Sequence, residues 1–194
     1  MHMKCLLGDI NLEELIKTAK EWCRGKNWII RVPVVIWLAY IFVNYLRRPD
    51  YLSTLGAFNY WVHEAGHLLA LPFGQFLEAI SGTLLECLIP VIFLIAFLKQ
   101  GEFFGASFCF GWHSTCFFYA SWYISTAQRT DNWNHDWYNI LSSMGILMYN
   151  HQIAFLVKLA AVILMLFSIA SGIWLLWQMA VKIKTLRKSN GVSL

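Results

Sequence analysis

The sequence has little charge. Asp, Glu, Lys and Arg make up 13% of its 194 residues, roughly half the ~25% of an average soluble domain, which is too little to cover a water-facing surface. A soluble fold with an ordinary hydrated exterior is excluded on that count. No CxxC pair occurs among the five cysteines, Cys5, Cys23, Cys87, Cys109 and Cys116, and three of them lie in apolar runs. That argues against a disulfide framework and a thiolate zinc site, and for buried, inert thiols. No cleavable signal peptide is recognisable, because the first residues run into charge where an apolar core is needed, so the first apolar segment is expected to direct insertion. There is no repeat and no low-complexity tract. Nor is there a basic block suited to nucleic acid: the net charge is +4, and the Lys and Arg residues lie mainly in the first thirty positions, at Arg47 and Arg48, and after Val181. That distribution suits anionic lipid headgroups.

What is present is apolar. Hydrophobic residues make up 58% of the chain and its mean hydropathy is +0.52. Residues 29–46, 77–98, 103–124 and 153–179 are runs close to the roughly 20 residues that cross a hydrocarbon core. The second and third form a hairpin around Lys99-Gln100-Gly101-Glu102, and Pro90 is expected to kink the second. Residues 58–71 are apolar at both ends but carry His63, Glu64 and His67 in the middle. A charged side chain at mid-bilayer costs on the order of 2.5–3.5 kcal/mol, so these groups imply an interior-facing, functional position. Residues 137–149 are short for a span. Counting them as one gives an all-α, polytopic bundle of about six spans with both termini cytoplasmic, as in a multi-pass protein of a bacterial-type inner (cytoplasmic) membrane. Ahead of it, residues 1–27 form a separate N-terminal segment. Leu12, Leu15, Ile16, Ala19, Trp22 and Cys23 recur there at helical spacing, with Asn11 and Glu14 as a capping box and Gly25 as the stop. Such an amphipathic helix lies in the membrane interface or packs on the main domain, residues 28–194.

The informative motif is His63-Glu64-Ala65-Gly66-His67, an HExxH sequence. On a helix its histidines are about 400° apart in rotation, so they project from nearly one face and can share one metal ion. Glu64, about 100° away from His63, reaches a water on that metal instead of the metal itself. Zinc with three protein ligands keeps an open position and lowers the pKa of bound water to about 7. Glu64 is placed to take that proton and return it to a leaving group. The bland alternative is a chance HExxH on a polar helix face. In an apolar segment that alternative leaves three costly groups uncompensated, whereas zinc compensates them together.

Candidates for the third ligand are His113, Asp131, His135, Asp136, His151, Glu78 and Glu86, and the richest source is the polar cluster Asp131-Asn132-Trp133-Asn134-His135-Asp136-Trp137, where Asp136 is favoured with His135 as rival. Adjacent residues point about 100° apart on a helix, so one of the pair binds and the other supports it. Capping the following helix is the ordinary alternative for Asp136. His113 reads as a histidine hydrogen-bonded within the bundle. Glu78 and Glu86 share one helical face with Gly82, where they line a cavity or bond neighbouring helices, and Ser81-Gly82-Thr83 permits close helix packing.

An HExxH helix in the membrane, then a hairpin, then an intramembrane aspartate resembles the site-2 protease family of intramembrane zinc metalloproteases, over roughly residues 56–149. The resemblance implies zinc held by His63, His67 and Asp136, Glu64 as the catalytic base, and a membrane-embedded or membrane-proximal protein or peptide as substrate. The sequence departs from the family's pattern in two ways: Asp136 is followed by Trp137 instead of Gly, and the stretch before it has Asn132 and Asn134 but no Pro. It also lacks the peptide-binding insertion that several members carry. The alternatives are a zinc hydrolase acting on lipid and a non-catalytic metal-binding membrane protein. Glu64 distinguishes the last, since a binding site alone needs no base.

Overall fold

In the computed structural model, which describes residues 12–128 and 135–189, all regular structure is helical. Seven α-helices follow in order among these residues: α1 (Leu12–Trp22), α2 (Val32–Arg47), α3 (Thr54–Ala70), α4 (Gln75–Lys99), α5 (Phe103–Thr126), α6 (Asp136–Ser143) and α7 (Asn150–Ser189). Asn11, Asp131, Asn132 and Asn134 lie outside the described residues. Among the described residues three stretches are long and apolar enough to cross a membrane, Ile29–Arg47, Gln75–Lys99 and Leu147–Val181, with mean hydropathies of 1.9, 2.2 and 2.6. The large apolar side chains Ile36, Trp61, Leu68, Ile163 and Trp177 are more than half exposed, the inverse of what water would select.

Local chemistry sets the helix ends. Ser53 caps α3, its Oγ accepting from the Gly56 amide at 2.9 Å. At the α4 terminus Gly101 adopts φ +70° while the Glu102 amide reaches back to the Phe97 carbonyl at 2.8 Å, the αL stop that glycine makes without strain. Gly145, also at φ +70°, ends α6 in the same way, with Ile146 N–H on the Leu141 carbonyl at 2.9 Å. That stop corrects the expectation of a sixth span over residues 137–149. The segment divides into the eight-residue α6 and a short 3₁₀ turn, Leu147–Tyr149, and eight residues rise only about 12 Å.

The α5–α7 pair explains where the chain goes instead. Ser107, Ser114 and Ser121, seven residues apart, donate their hydroxyls to the carbonyls of Ser168, Ala161 and Ala154 at 2.9, 2.7 and 2.8 Å. Ser168 returns a bond to the Ser107 carbonyl at 2.7 Å. The rising and falling numbers make the two helices antiparallel, with a seven-residue seam of small residues that allows close approach. Asn150 then bonds the Ile124 carbonyl at 3.2 Å, so α7 starts where α5 ends, and α6 is an excursion at that end of the bundle.

Helices α3, α4 and α5 alternate in direction. His63 meets Glu86 and Gly66 meets Ser81 across α3 and α4, and Phe97 lies against Gly105 while Phe93 packs on Trp112 across α4 and α5. Helix α2 also runs alongside α5 in the same sense, pairing Trp37 with Phe108 and Phe42 with Phe118. So α2 and α3, though consecutive, point the same way, and residues 48–53 double back between them to bring Ser53 within 3.1 Å of the Tyr45 hydroxyl. One end of the bundle therefore gathers α1, the α4–α5 turn and the far part of α7. There Trp22 packs on Phe103, Lys26 pairs with Glu102 at 3.2 Å, and Ala19 and Cys23 bury themselves against Leu175 and Met179. The other end holds α6, the α3–α4 turn and the Arg47-Arg48 loop.

Candidate metal centre

Helix α3 buries one face, formed by Gly56, Asn59, His63, Gly66 and Ala70, and α4 packs against it. Gly66 makes that approach possible. A Cβ there would lie 2.6 Å from the Ser81 carbonyl oxygen and 2.9 Å from the Gly82 Cα, so backbone meets backbone. The Ser81 hydroxyl stitches the crossing by donating to the Gly66 carbonyl at 2.9 Å. Opposite, Gly82 leaves room for both histidines: a Cβ at this position would sit 2.6 Å from His67 Nε2 and 2.7 Å from His63 Nε2. The small-residue patch thus serves packing at Gly66 and clears space for the imidazoles at Gly82.

Within that space the expected donors converge. Asp136 Oδ2 lies 3.3 Å from His63 Nε2 and 3.3 Å from His67 Nε2. Ligands held at about 2.0–2.1 Å around a tetrahedral zinc ion stand roughly 3.3–3.4 Å apart, so these two separations match that edge. The other ring nitrogens face outward to acceptors. His67 Nδ1 is 2.8 Å from the Glu78 carbonyl and His63 Nδ1 is 3.3 Å from Glu86 Oε2. Each Nδ1–H then has an acceptor and each Nε2 lone pair points inward, the tautomer a metal-binding histidine needs. His63 cannot satisfy both of its carboxylates with the single proton of a neutral imidazole. An imidazolium would donate to both but offset only one of the two carboxylate charges; a dication between Nε2 and Asp136 would satisfy both and offset both.

Two further features fit a cation. Glu86 is 1% exposed and its Oε1 has no hydrogen-bond partner among the described residues, an arrangement that is costly unless positive charge lies nearby. The Lys26–Glu102 ion pair lies at the far end of the bundle and supplies no positive charge here. The site is open on one side: the His67 and Asp136 side chains are each 18% exposed against 4% for His63. Tyr119 and Tyr123 wall it, each edge-on to His63 with ring centroids 6.3 Å away.

His135, the rival ligand, is turned elsewhere. Its Nδ1 caps α6 by accepting from the Tyr138 amide at 3.3 Å, its Nε2 faces the Thr126 hydroxyl at 3.3 Å, and its ring lies tilted against Tyr123 with centroids 4.1 Å apart. The cap therefore falls to His135, and Asp136, the first residue of α6, is left free to point at the histidines. Glu64 is half-buried, adjacent to His63, and without a hydrogen bond or ion pair among the described residues. Glu78 contributes its carbonyl instead of its carboxylate. His113 is half-buried; its ring hydrogen-bonds the Cys87 backbone, as expected from sequence, while its Nδ1 has no partner among the described residues.

Family models, curated proteins and solved structures offer no match to this chain. The reading of the site rests on its geometry.

Sequence reasoning left Glu86 between lining a cavity and bonding a neighbouring helix, and its carboxylate bonds His63 on α3. Pro90, four residues on, has no N–H for the Glu86 carbonyl. α4 nevertheless continues through Pro90, and the Cys116 thiol lies 3.5 Å from that carbonyl.

Proposed function

We propose that this chain is an intramembrane zinc metalloprotease of the site-2 type, with the ion held by His63, His67 and Asp136 and with Glu64 as general base. The observation that carries the reading is that Asp136 Oδ2 stands at a tetrahedral-edge distance from both His63 Nε2 and His67 Nε2, beside a Glu64 with no hydrogen bond or ion pair among the described residues. When bound, the ion would supply Lewis acidity, activating a water and polarising the scissile carbonyl. Glu64 takes the proton of the attacking water and delivers it to the leaving amine. Glu86 and the Glu78 carbonyl hold the two imidazoles in one tautomer. Tyr119 and Tyr123 narrow access on the buried side, so the substrate enters past His67 and Asp136. A substrate helix hides its peptide bonds in its own hydrogen bonds, so it must unwind locally to reach that opening.

In this reading α2, α4, α5 and α7 cross the bilayer, α3 starts inside the bundle, and α6 stays at the catalytic end. Four crossings leave both termini on one side. Lys17, Lys20, Arg24, Lys26, Arg31 and Lys99 cluster at that end and assign it to the cytoplasm. The active site then faces the opposite leaflet. Helix α1 lies along the cytoplasmic interface, with Leu12 and Ile16 exposed to lipid and Ala19 held against α7.

The test is cleavage of a panel of membrane-anchored substrates by detergent-purified protein, with zinc measured per chain. Glu64→Gln is expected to keep the parent's zinc content and lose cleavage, and His67→Ala to lose cleavage together with one zinc equivalent. Equal cleavage by Glu64→Gln would refute the mechanism. Phospholipid hydrolysis in place of peptide hydrolysis would overturn the substrate class and leave the base in place.

A further inference from the structure

A second set of donors lies one residue along α4 from Glu86. Cys87 on α4 and His113 and Cys116 on α5 each bring one ligand atom within 4.8 Å of the other two. His113 and Cys116 are three residues apart and share one helix face, while Cys87 comes from the antiparallel neighbour, so the cluster spans two helices. No spacing in the sequence announces it, because the thiolate pattern of zinc sites is a local one and here the two cysteines are separated by a hairpin.

Three observations make this more than a chance grouping. The His113 Nδ1 is buried and has no hydrogen-bond partner among the described residues, and a buried imidazole nitrogen without a partner calls for a ligand. The Asn59 amide donates to Cys116 Sγ at 3.3 Å, closer than either carbonyl the thiol faces, Glu86 at 3.5 Å and Trp112 at 3.7 Å. The sulfur thus has one N–H donor that a thiolate would keep, and metal binding would replace the bonds its thiol donates to the two carbonyls. Finally, Pro90 denies the Glu86 carbonyl its helix amide, leaving an oxygen beside Cys116 that can complete a four-donor set.

We propose that Cys87, His113 and Cys116 form a second metal site, for a thiophilic divalent cation such as zinc, clamping α4 to α5. Charge selects the valence. Two thiolates and a neutral imidazole exactly balance a dication, whereas a cuprous ion would leave a net negative charge among apolar helices. Binding releases the two thiol protons to solvent. The clamp sits one residue from Glu86, so it also fixes the helix face that presents the carboxylate to His63.

Cobalt is the probe, added to protein purified in detergent under reducing conditions. Thiolate ligation gives an intense sulfur-to-cobalt absorption that a site of two histidines and an aspartate lacks. The parent is expected to take up two equivalents and show that band. Cys116→Ser and His113→Gln are each expected to lose one equivalent and weaken or abolish the band, with His113→Gln serving if the serine variant does not fold. His67→Ala is expected to lose the other equivalent and keep the band, which separates failure of this site from failure of the protease reading. A folded parent without the band, or a band unchanged in Cys116→Ser, would overturn the proposal.

Discussion

Replacing Gly82 by alanine tests the metal centre more sharply than removing a ligand, because it leaves every ligand in the chain. The added methyl would lie 2.6 Å from His67 Nε2 and 2.7 Å from His63 Nε2, and ordinary contact begins near 3.4 Å, so the two nitrogens must retreat by 0.8 and 0.7 Å. Metal–ligand distances tolerate about 0.2 Å. The atoms in the way are the ends of two side chains, so the imidazoles rotate while the helices stay in place. Alanine is also the better helix former by roughly 1 kcal/mol, which supports the fold. Displacing both imidazoles should cost at least the ~100-fold that marks the upper range for disturbing the residues around a metal site, or about 2.7 kcal/mol. Competition against a chelator of known zinc affinity, in detergent, reads the loss, and circular dichroism checks the helix content. A folded Gly82→Ala protein with the parent's affinity would mean that no ion sits between these nitrogens.

Glu86→Gln, which keeps the shape and removes the charge behind His63, is expected to weaken zinc binding about 10–100-fold by the same competition. Gly66→Ala pushes a methyl into backbone where nothing can rotate away, so thermal unfolding in detergent should show a loss of about 1–3 kcal/mol with the helices of the α3–α4 pair forced apart. Removing the three hydroxyls of Ser107, Ser114 and Ser121 together should cost about 2 kcal/mol, at ~0.6 kcal/mol for each interhelical bond; a variant as stable as the parent would mean the ladder is incidental. His135→Asn preserves a cap for α6 and is expected to retain a full zinc equivalent, whereas Asp136→Asn is expected to lose it.

The helices themselves were legible because each is written locally. The apolar runs set α2, α4, α5 and α7, and the HExxH spacing put His63 and His67 on one face without any tertiary information. Asp136 was legible for a different reason: a carboxylate beside an apolar segment needs a partner. What was not legible depends on register between helices. Residues 137–149 read as a span because their composition is apolar, yet Gly145 ends α6 after eight residues, and it is the serine ladder between α5 and α7 that holds the chain's return at the same end of the bundle. Reversal of the chain between α2 and α3 is likewise invisible, since nothing in residues 48–53 announces that they double back.

Glu86 shows the same limit at the level of one side chain. In sequence it is a carboxylate in a long apolar run, and the cost of burying it says that a partner exists without naming one. The partner follows only from the antiparallel crossing of α3 and α4, which places position 86 opposite position 63 once Gly66 has let the backbones close. The two glycines therefore act in sequence: Gly66 fixes the distance between helices, and Gly82 empties the space that this distance would otherwise fill. Given that crossing, His63 stands between two carboxylates in an apolar bundle, one at each ring nitrogen. A neutral ring has a proton for only one of them, and an imidazolium has one for each but offsets a single charge; a dication at the other nitrogen satisfies both carboxylates and offsets both charges.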